Sequence, residues 1–171
     1  MFVTFTIDGP APGDFAAIAD LVRAAFEKEY GSGDGEVALV ERLRAEGHAA
    51  VELVARERGE VVGHILFSRL GAEPATVRVA ALAPVCVAVG LQRAGVGSAL
   101  IREGLARCRE FDAVAVLGDP AYYRRFGFTR EAARVLTCPY SGPHFQALAL
   151  RDGALAGGAW TLTYPKAFAS A

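Results

Sequence analysis

The stretch that most constrains this chain covers residues 85–98, V-C-V-A-V-G-L-Q-R-A-G-V-G-S. It begins as a continuous apolar run, breaks at Gly90, and passes through Gln92, Arg93, Ala94, Gly95, Val96, Gly97 and Ser98 into a helical pattern. Beyond Gly97, Leu100, Ile101, Gly104, Leu105 and Cys108 share one face, while Arg102, Glu103, Arg107 and Arg109 share the other. This pattern predicts a buried strand, a glycine turn and an amphipathic helix. A helix that starts on glycines offers N–H groups without acceptors and a partial positive charge, which together suit a phosphate. Gly95 and Gly97 let such a group approach the backbone with no side chain in the way. Spacing excludes two other phosphate-binding loops. A dinucleotide fingerprint needs a third glycine where this chain has Leu100, and a P-loop needs a Gly-Lys-Ser/Thr that is not here.

What remains is Q-R-x-G-x-G after a V-x-V strand, followed one helix and one strand later by Tyr123-Arg124-Arg125-Phe126-Gly127-Phe128. On these residues the sequence resembles the GNAT superfamily of acyl-CoA-dependent N-acyltransferases, whose motifs read Q/R-x-x-G-x-G/A and Y-x-x-x-G-F. The wider wording L-A-P-V-C-V and G-D-P-A-Y-Y-R-R-F-G-F resembles its YhbS-like branch. The resemblance implies one α/β domain over residues 1–171: a mixed, mostly antiparallel sheet with helices on both faces and a splayed central strand pair. It implies acetyl-CoA as co-substrate and no metal. Val85, Cys86 and Val87 would hold the pantetheine arm through backbone groups, and the loop from Gln92 to Ser98 would take the pyrophosphate. Tyr123 would be the general acid toward the leaving thiolate, and a backbone N–H near Val87 would polarise the thioester carbonyl. Val89 stands where many members carry proline, which softens the turn without removing a donor. The implied reaction moves an acetyl group to a primary amine of a small molecule or peptide, by direct attack in a ternary complex. A non-catalytic acyl-CoA sensor shares the same loop; the presence of Tyr123 favours the enzyme.

Acyl transfer to an amine also needs a group that removes the amine proton. The strands around residues 80–89 and 113–117 contain no acid, so Asp119, His64, Glu52 and a water chain all stay open as the base. Asp119 equally suits the N-cap of a short helix opened by Pro120. His64 sits inside a strand on the face expected for Val62 and Leu66, where a packed core histidine is the commoner role.

Composition narrows the partners. The net charge is −1 with no basic block, which argues against nucleic acid. The longest apolar run, residues 80–91, falls short of the roughly 20 residues that span a bilayer, so no membrane partner is expected. The N-terminus reads as no signal peptide, and the odd count of 3 cysteines, at spacings that fit no zinc site, reads as reduced, buried thiols. Together these predict a cytoplasmic protein, with a homodimer left open.

In chain order, alternation at Val3, Phe5 and Ile7 predicts a first strand, and Asp14 caps a helix running to about Glu29. The glycine-rich segment 30–35 reads either as an ordinary loop or as a mobile lid, flanked by Glu27, Glu29 and Glu36 that would attract a cationic amine. A second helix ends at Gly47, strands 50–56 and 61–69 form a hairpin, and 71–74 is a turn. A long strand 76–89 carries Pro84, which marks either a splay or a bulge. Gly127 closes the short helix in a left-handed cap, and the last strands are 145–150 and 159–164.

Overall fold

The computed structural model describes residues 3–170. The elements follow in the order β1 (Thr6–Asp8), α1 (Phe15–Tyr30), α2 (Asp34–Ala45), β2 (Ala49–Glu57), β3 (Glu60–Arg69), β4 (Gly71–Glu73) and β5 (Val79–Val87). Then come α3 (Val96–Arg107), β6 (Ala113–Leu117), α4 (Pro120–Tyr123), α5 (Arg130–Ala133), β7 (Leu136–Thr137), β8 (Phe145–Ala149) and β9 (Trp160–Thr163). A six-stranded sheet has the order β1-β2-β3-β5-β6-β8, antiparallel throughout except for the parallel pair β5–β6. This is the mixed, mostly antiparallel α/β sheet expected.

Each face of the sheet is covered because its strands are apolar on both sides. On one face Ile65, Phe67, Leu82, Val114 and Val116 pack with Val96, Leu100 and Ile101 of α3. Gly104 brings α3 close: a Cβ there would lie 2.8 Å from Cζ of the fully buried Phe67 ring. On the other face Ile18, Leu21, Val22 and Ala25 of α1 meet Val54 and Cys86, and Leu39, Val40 and Leu43 of α2 meet Leu66. Further along that face, Val79, Ala113, Ala115 and Ala147 are covered by Leu136, Trp160 and Leu162 of a small sheet, β4-β9-β7.

The central pair parts early. β5 and β6 pair only from Val79 with Ala113 to Ala81 with Ala115. Past Ala81, β5 keeps β3 as its neighbour, while the edge that faced β6 is open. Ile65 lies opposite Val85 and Phe67 opposite Leu82, so Ala83 and Pro84 together face one residue of β3. Pro84 therefore marks both a splay and a bulge, two readings the sequence had posed as alternatives.

Several expectations are corrected. The segment 71–74 is not merely a turn, since Gly71, Ala72 and Glu73 pair with Thr163, Leu162 and Thr161 of β9. The two last strands fall where expected and belong to different sheets: β8 joins β6, and β9 lies between β4 and β7. Asp14 does not cap α1 with its side chain. Its Oδ2 accepts from Ala11 N at 2.7 Å and both oxygens pair with Arg56, which lowers its pKa to about 2. Within the glycine-rich segment only Gly31, Ser32 and Gly33 lie outside helix, as a short loop between α1, which continues through Tyr30, and α2, which begins at Asp34. Asp34 is tied to Arg23 at 3.0 Å, and Gly33 packs against the Arg23 backbone so closely that a Cβ would collide with it. A bulge between Ala55 and Arg56 moves Val62 to the α3 face, while His64 stays with Leu66 opposite α1 and α2.

Candidate functional site

The splay opens a cleft of about 1250 Å³, lined by β5, the loop into α3, α4, and parts of α1, α2 and the C-terminal segment. The edge of β5 is its floor. Ala88 N donates to Val62 O at 2.8 Å, so the backbone of Ala88 points toward β3. Alternation along a strand then turns the N–H and C=O of Val87 and Val85 to the open edge, and those of Cys86 back toward β3. All three residues line the cleft; Val85 and Val87 turn backbone groups to the open edge, and the Cys86 side chain packs on α1, where burial pushes its thiol up to about 12.

At one end of the cleft the chain turns into α3. Arg93 adopts φ 66° and Gly95 φ 86°, both left-handed, and the first costs a non-glycine residue roughly 1 kcal/mol or more. Gln92 reaches back to Val87 O in a long contact of 3.5 Å. The first intrahelical bond runs from Ala99 N to Gly95 O at 3.1 Å, so the N–H groups of Val96, Gly97 and Ser98 lie ahead of it without a helical acceptor. Gln92, Arg93, Gly95, Gly97 and Ser98 line the cleft, whereas Val96, the first residue of α3, is buried in the core and Ala94 is half-buried outside the lining. A Cβ on Gly97 would stand 3.5 Å from the Tyr122 hydroxyl and 3.5 Å from Val87 Cγ2, ordinary contact distances. The space above Gly97 is therefore open to a ligand and would be filled by a large side chain.

Tyr123 faces the same cleft from α4. Asp119 Oδ1 caps that helix by accepting from Ala121 N at 2.9 Å, and Gly127 ends the following turn at φ 96°. The Tyr123 ring packs edge-on against Tyr122 and Phe128, and it lies against Gly118, where a Cβ would collide with the ring. Burial, then the nearby Tyr122, Tyr30 and Glu29, push its phenol well above the ordinary tyrosine value. Tyr123 is thus a neutral phenol at physiological pH. Tyr122 is more than packing: it lines the cleft with its hydroxyl beside Gly97 and the Arg125 guanidinium over its ring.

Sequence reasoning passed over Gln146. It is 1% exposed on β8, and its Nε2 donates to Gly118 O at 3.0 Å and His144 O at 3.2 Å. It fixes the turn that carries Asp119 and Tyr123, a link between β8 and α4 that no local pattern announces.

The base candidates divide. Asp119 lines the cleft, although its Oδ1 is committed to the cap. His64 and Glu52 do not line it. Glu52 Oε1 lies 2.8 Å from His64 Nε2 and 2.5 Å from an Arg44 nitrogen, in a network against α2. Burial alone would raise the Glu52 pKa, but the bonds from His64 and Arg44 outweigh it and hold the carboxyl below its usual value. Glu29 and Glu36, from α1 and α2, line the cleft; Glu27 does not. Among the described residues no group of three or more His, Cys, Asp or Glu could hold a metal ion, and no helix is long and apolar enough to cross a membrane.

Comparison with known proteins follows the same lines. The model of the Acetyltransferase (GNAT) family matches residues 15–128. Over 162 residues the chain is 35% identical to the uncharacterized N-acetyltransferase YhbS of Escherichia coli (strain K12), covering 92% of this chain and 94% of that protein. It is 36% identical over 118 residues to the uncharacterized N-acetyltransferase YjhQ of the same strain, covering 67% and 56% of the two chains. The crystal structure of Escherichia coli YhbS in complex with CoA superposes with a TM-score of 0.88 at 33% identity, covering 99% of this chain and 94% of that one. That of a GNAT family acetyltransferase from Brucella melitensis in complex with acetyl-CoA gives 0.81 at 35% identity, covering 96% and 98%.

Proposed function

The chain belongs to the GNAT family of acetyltransferases, and on that premise we propose that it is a cytoplasmic, acetyl-CoA-dependent N-acetyltransferase acting on a primary amine. The observation that carries the reading is one cleft with a glycine-started helix N-terminus at one end and a neutral phenol, Tyr123, within it. The relatives crystallised with CoA and acetyl-CoA support the co-substrate.

The residues present fit acetyl-CoA. The N–H groups of Val96, Gly97 and Ser98 meet the pyrophosphate, aided by the helix dipole and by the bare face of Gly97. The open backbone edge at Val85 and Val87 takes the pantetheine amides as a neighbouring strand would. Bound there, acetyl-CoA supplies a thioester carbonyl open to attack and a thiolate that leaves. The Val87 N–H polarises that carbonyl oxygen. Tyr123, kept protonated by burial, gives its proton to the departing sulfur and recovers one from the amine nitrogen as the amide forms. The further proton of an ammonium leaves through cleft water, with Asp119, Glu29 or Glu36 as the carboxylates at hand. A retained, cleft-facing Tyr123 favours an enzyme over a sensor.

The test is binding followed by turnover. Coenzyme A should raise the melting temperature of the wild type, and Gly97→Trp, which fills the cradle and leaves the fold intact, should abolish the shift. Thiol release with an amine panel should follow in the wild type. A folded Gly97→Trp protein that keeps the full coenzyme A shift rules out the cradle. Tight coenzyme A binding without any amine turnover favours the sensor.

A further inference from the structure

Resting on the acetyltransferase reading, the walls of the cleft away from the glycine loop point to the acceptor. Phe26 and Tyr30 of α1 stack with their ring centroids 5.9 Å apart. Tyr140, Tyr164 and Phe168 form a second series with edge-to-face spacings of 4.8 and 5.1 Å. All of these rings line the cleft; Tyr30 is 67% exposed, and Phe26, Tyr140, Tyr164 and Phe168 are half-buried. Glu29 and Glu36 line the same wall with Lys28 beside them, while Arg93 and Arg125 line the cleft with the glycine loop and α4. Toward the glycine loop and α4 two arginines stand against the one carboxylate of Asp119, and among the rings two carboxylates stand against one lysine. The Glu29 carboxylate is near enough to Tyr123 to contribute to the raised pKa of its phenol.

We propose that the acceptor is a primary amine carried on an aromatic or apolar body, its ammonium held by Glu29 and Glu36 and its body lying against Phe26, Tyr30 and the Tyr140–Tyr164–Phe168 series. Aromatic faces attract a cation as well as an apolar body, and carboxylates beside them fix where the charge sits. A strongly polar or anionic acceptor would leave these rings uncovered or meet the carboxylates with like charge.

Phenethylamine is the probe, with ethylamine and 2-phenylethanol as its charged and apolar halves, each titrated calorimetrically into protein saturated with coenzyme A. Phenethylamine should bind about tenfold or more tightly than either half. The double variant Glu29→Gln/Glu36→Gln should weaken phenethylamine about tenfold and leave 2-phenylethanol and coenzyme A unchanged. Tyr30→Ala, at an exposed position, should weaken both aromatic probes and spare ethylamine. Absent phenethylamine binding, equal affinity for ethylamine, or an unaltered double variant each overturns the proposal. A protein that fails to bind coenzyme A overturns the acetyltransferase reading instead, and the same titrations on the free protein then decide the acceptor pocket on their own.

Discussion

Replacing Glu52 with Gln keeps the shape of the side chain and removes its charge from between Arg44 and His64. The carboxylate accepts from Arg44 Nε at 3.0 Å with each oxygen, and its Oε1 lies 2.8 Å from His64 Nε2. His64 is fully buried, and the Arg44 and Glu52 side chains are 15% and 12% exposed. Removing one partner of a fully buried pair costs about 3–5 kcal/mol; the slight exposure here places the loss near the lower end, about 3 kcal/mol. For a chain of this size each kcal/mol is worth about 2–4 °C, so the melting temperature should fall by about 6–12 °C at pH 7. The sign with pH follows from the lowered Glu52 pKa. Its contribution is present above the unfolded carboxylate value, about 4.3, and is lost as pH falls through the lower folded value. The gap between wild type and variant should thus be full at pH 6–8 and close below about pH 4. Thermal unfolding across that range, beside coenzyme A binding and thiol release at a permissive temperature, measures both halves. A gap under about 2 °C at pH 7 would refute the energetic argument. A variant of wild-type stability that loses kcat would return Glu52 to the list of bases.

Tyr123→Phe should lower kcat by about 10²–10⁴-fold with coenzyme A affinity nearly intact, whereas Tyr122→Phe, beside Gly97, should act on coenzyme A affinity first; equal kcat for Tyr123→Phe and wild type removes Tyr123 from the chemistry. Gln146→Met should lose the bonds to Gly118 and His144 and speed amide exchange at Gly118 and in α4, while the rest of β8 stays protected; unchanged exchange there would deny the anchor. In native protein at pH 8 a thiol reagent should label half-buried Cys138 and leave Cys86 and Cys108, whose pKa values burial pushes up to about 12, untouched until denaturation; rapid labelling of either buried thiol contradicts their packing.

The sequence by itself determined the local pieces whose chemistry is contiguous. The apolar run, Gly95 and Gly97 specify a strand, a turn and a helix start, because Gly95 takes a left-handed φ at no steric cost and Gly97 leaves the helix start bare, and Asp119, Pro120 and Gly127 specify a short capped helix. Strand patterns bounded by turn residues likewise placed β2 and β3, and a short buried apolar run placed β6, nearly to the residue. What tertiary structure decided depends on partners distant in the chain. β4 and β7 are three and two residues long and exist because each pairs with β9, which no periodicity of so few residues encodes. The bulge at Ala55 and Arg56 turned Val62 to the opposite face from His64, since one added residue reverses the alternation. Glu52, open as a base on sequence like His64, is bound to His64 and Arg44 away from the cleft, while Glu29 and Glu36 reach it from α1 and α2. Which carboxylates line the cleft is decided by how helices dock on a sheet, because a titratable side chain acquires its surroundings from what folds against it.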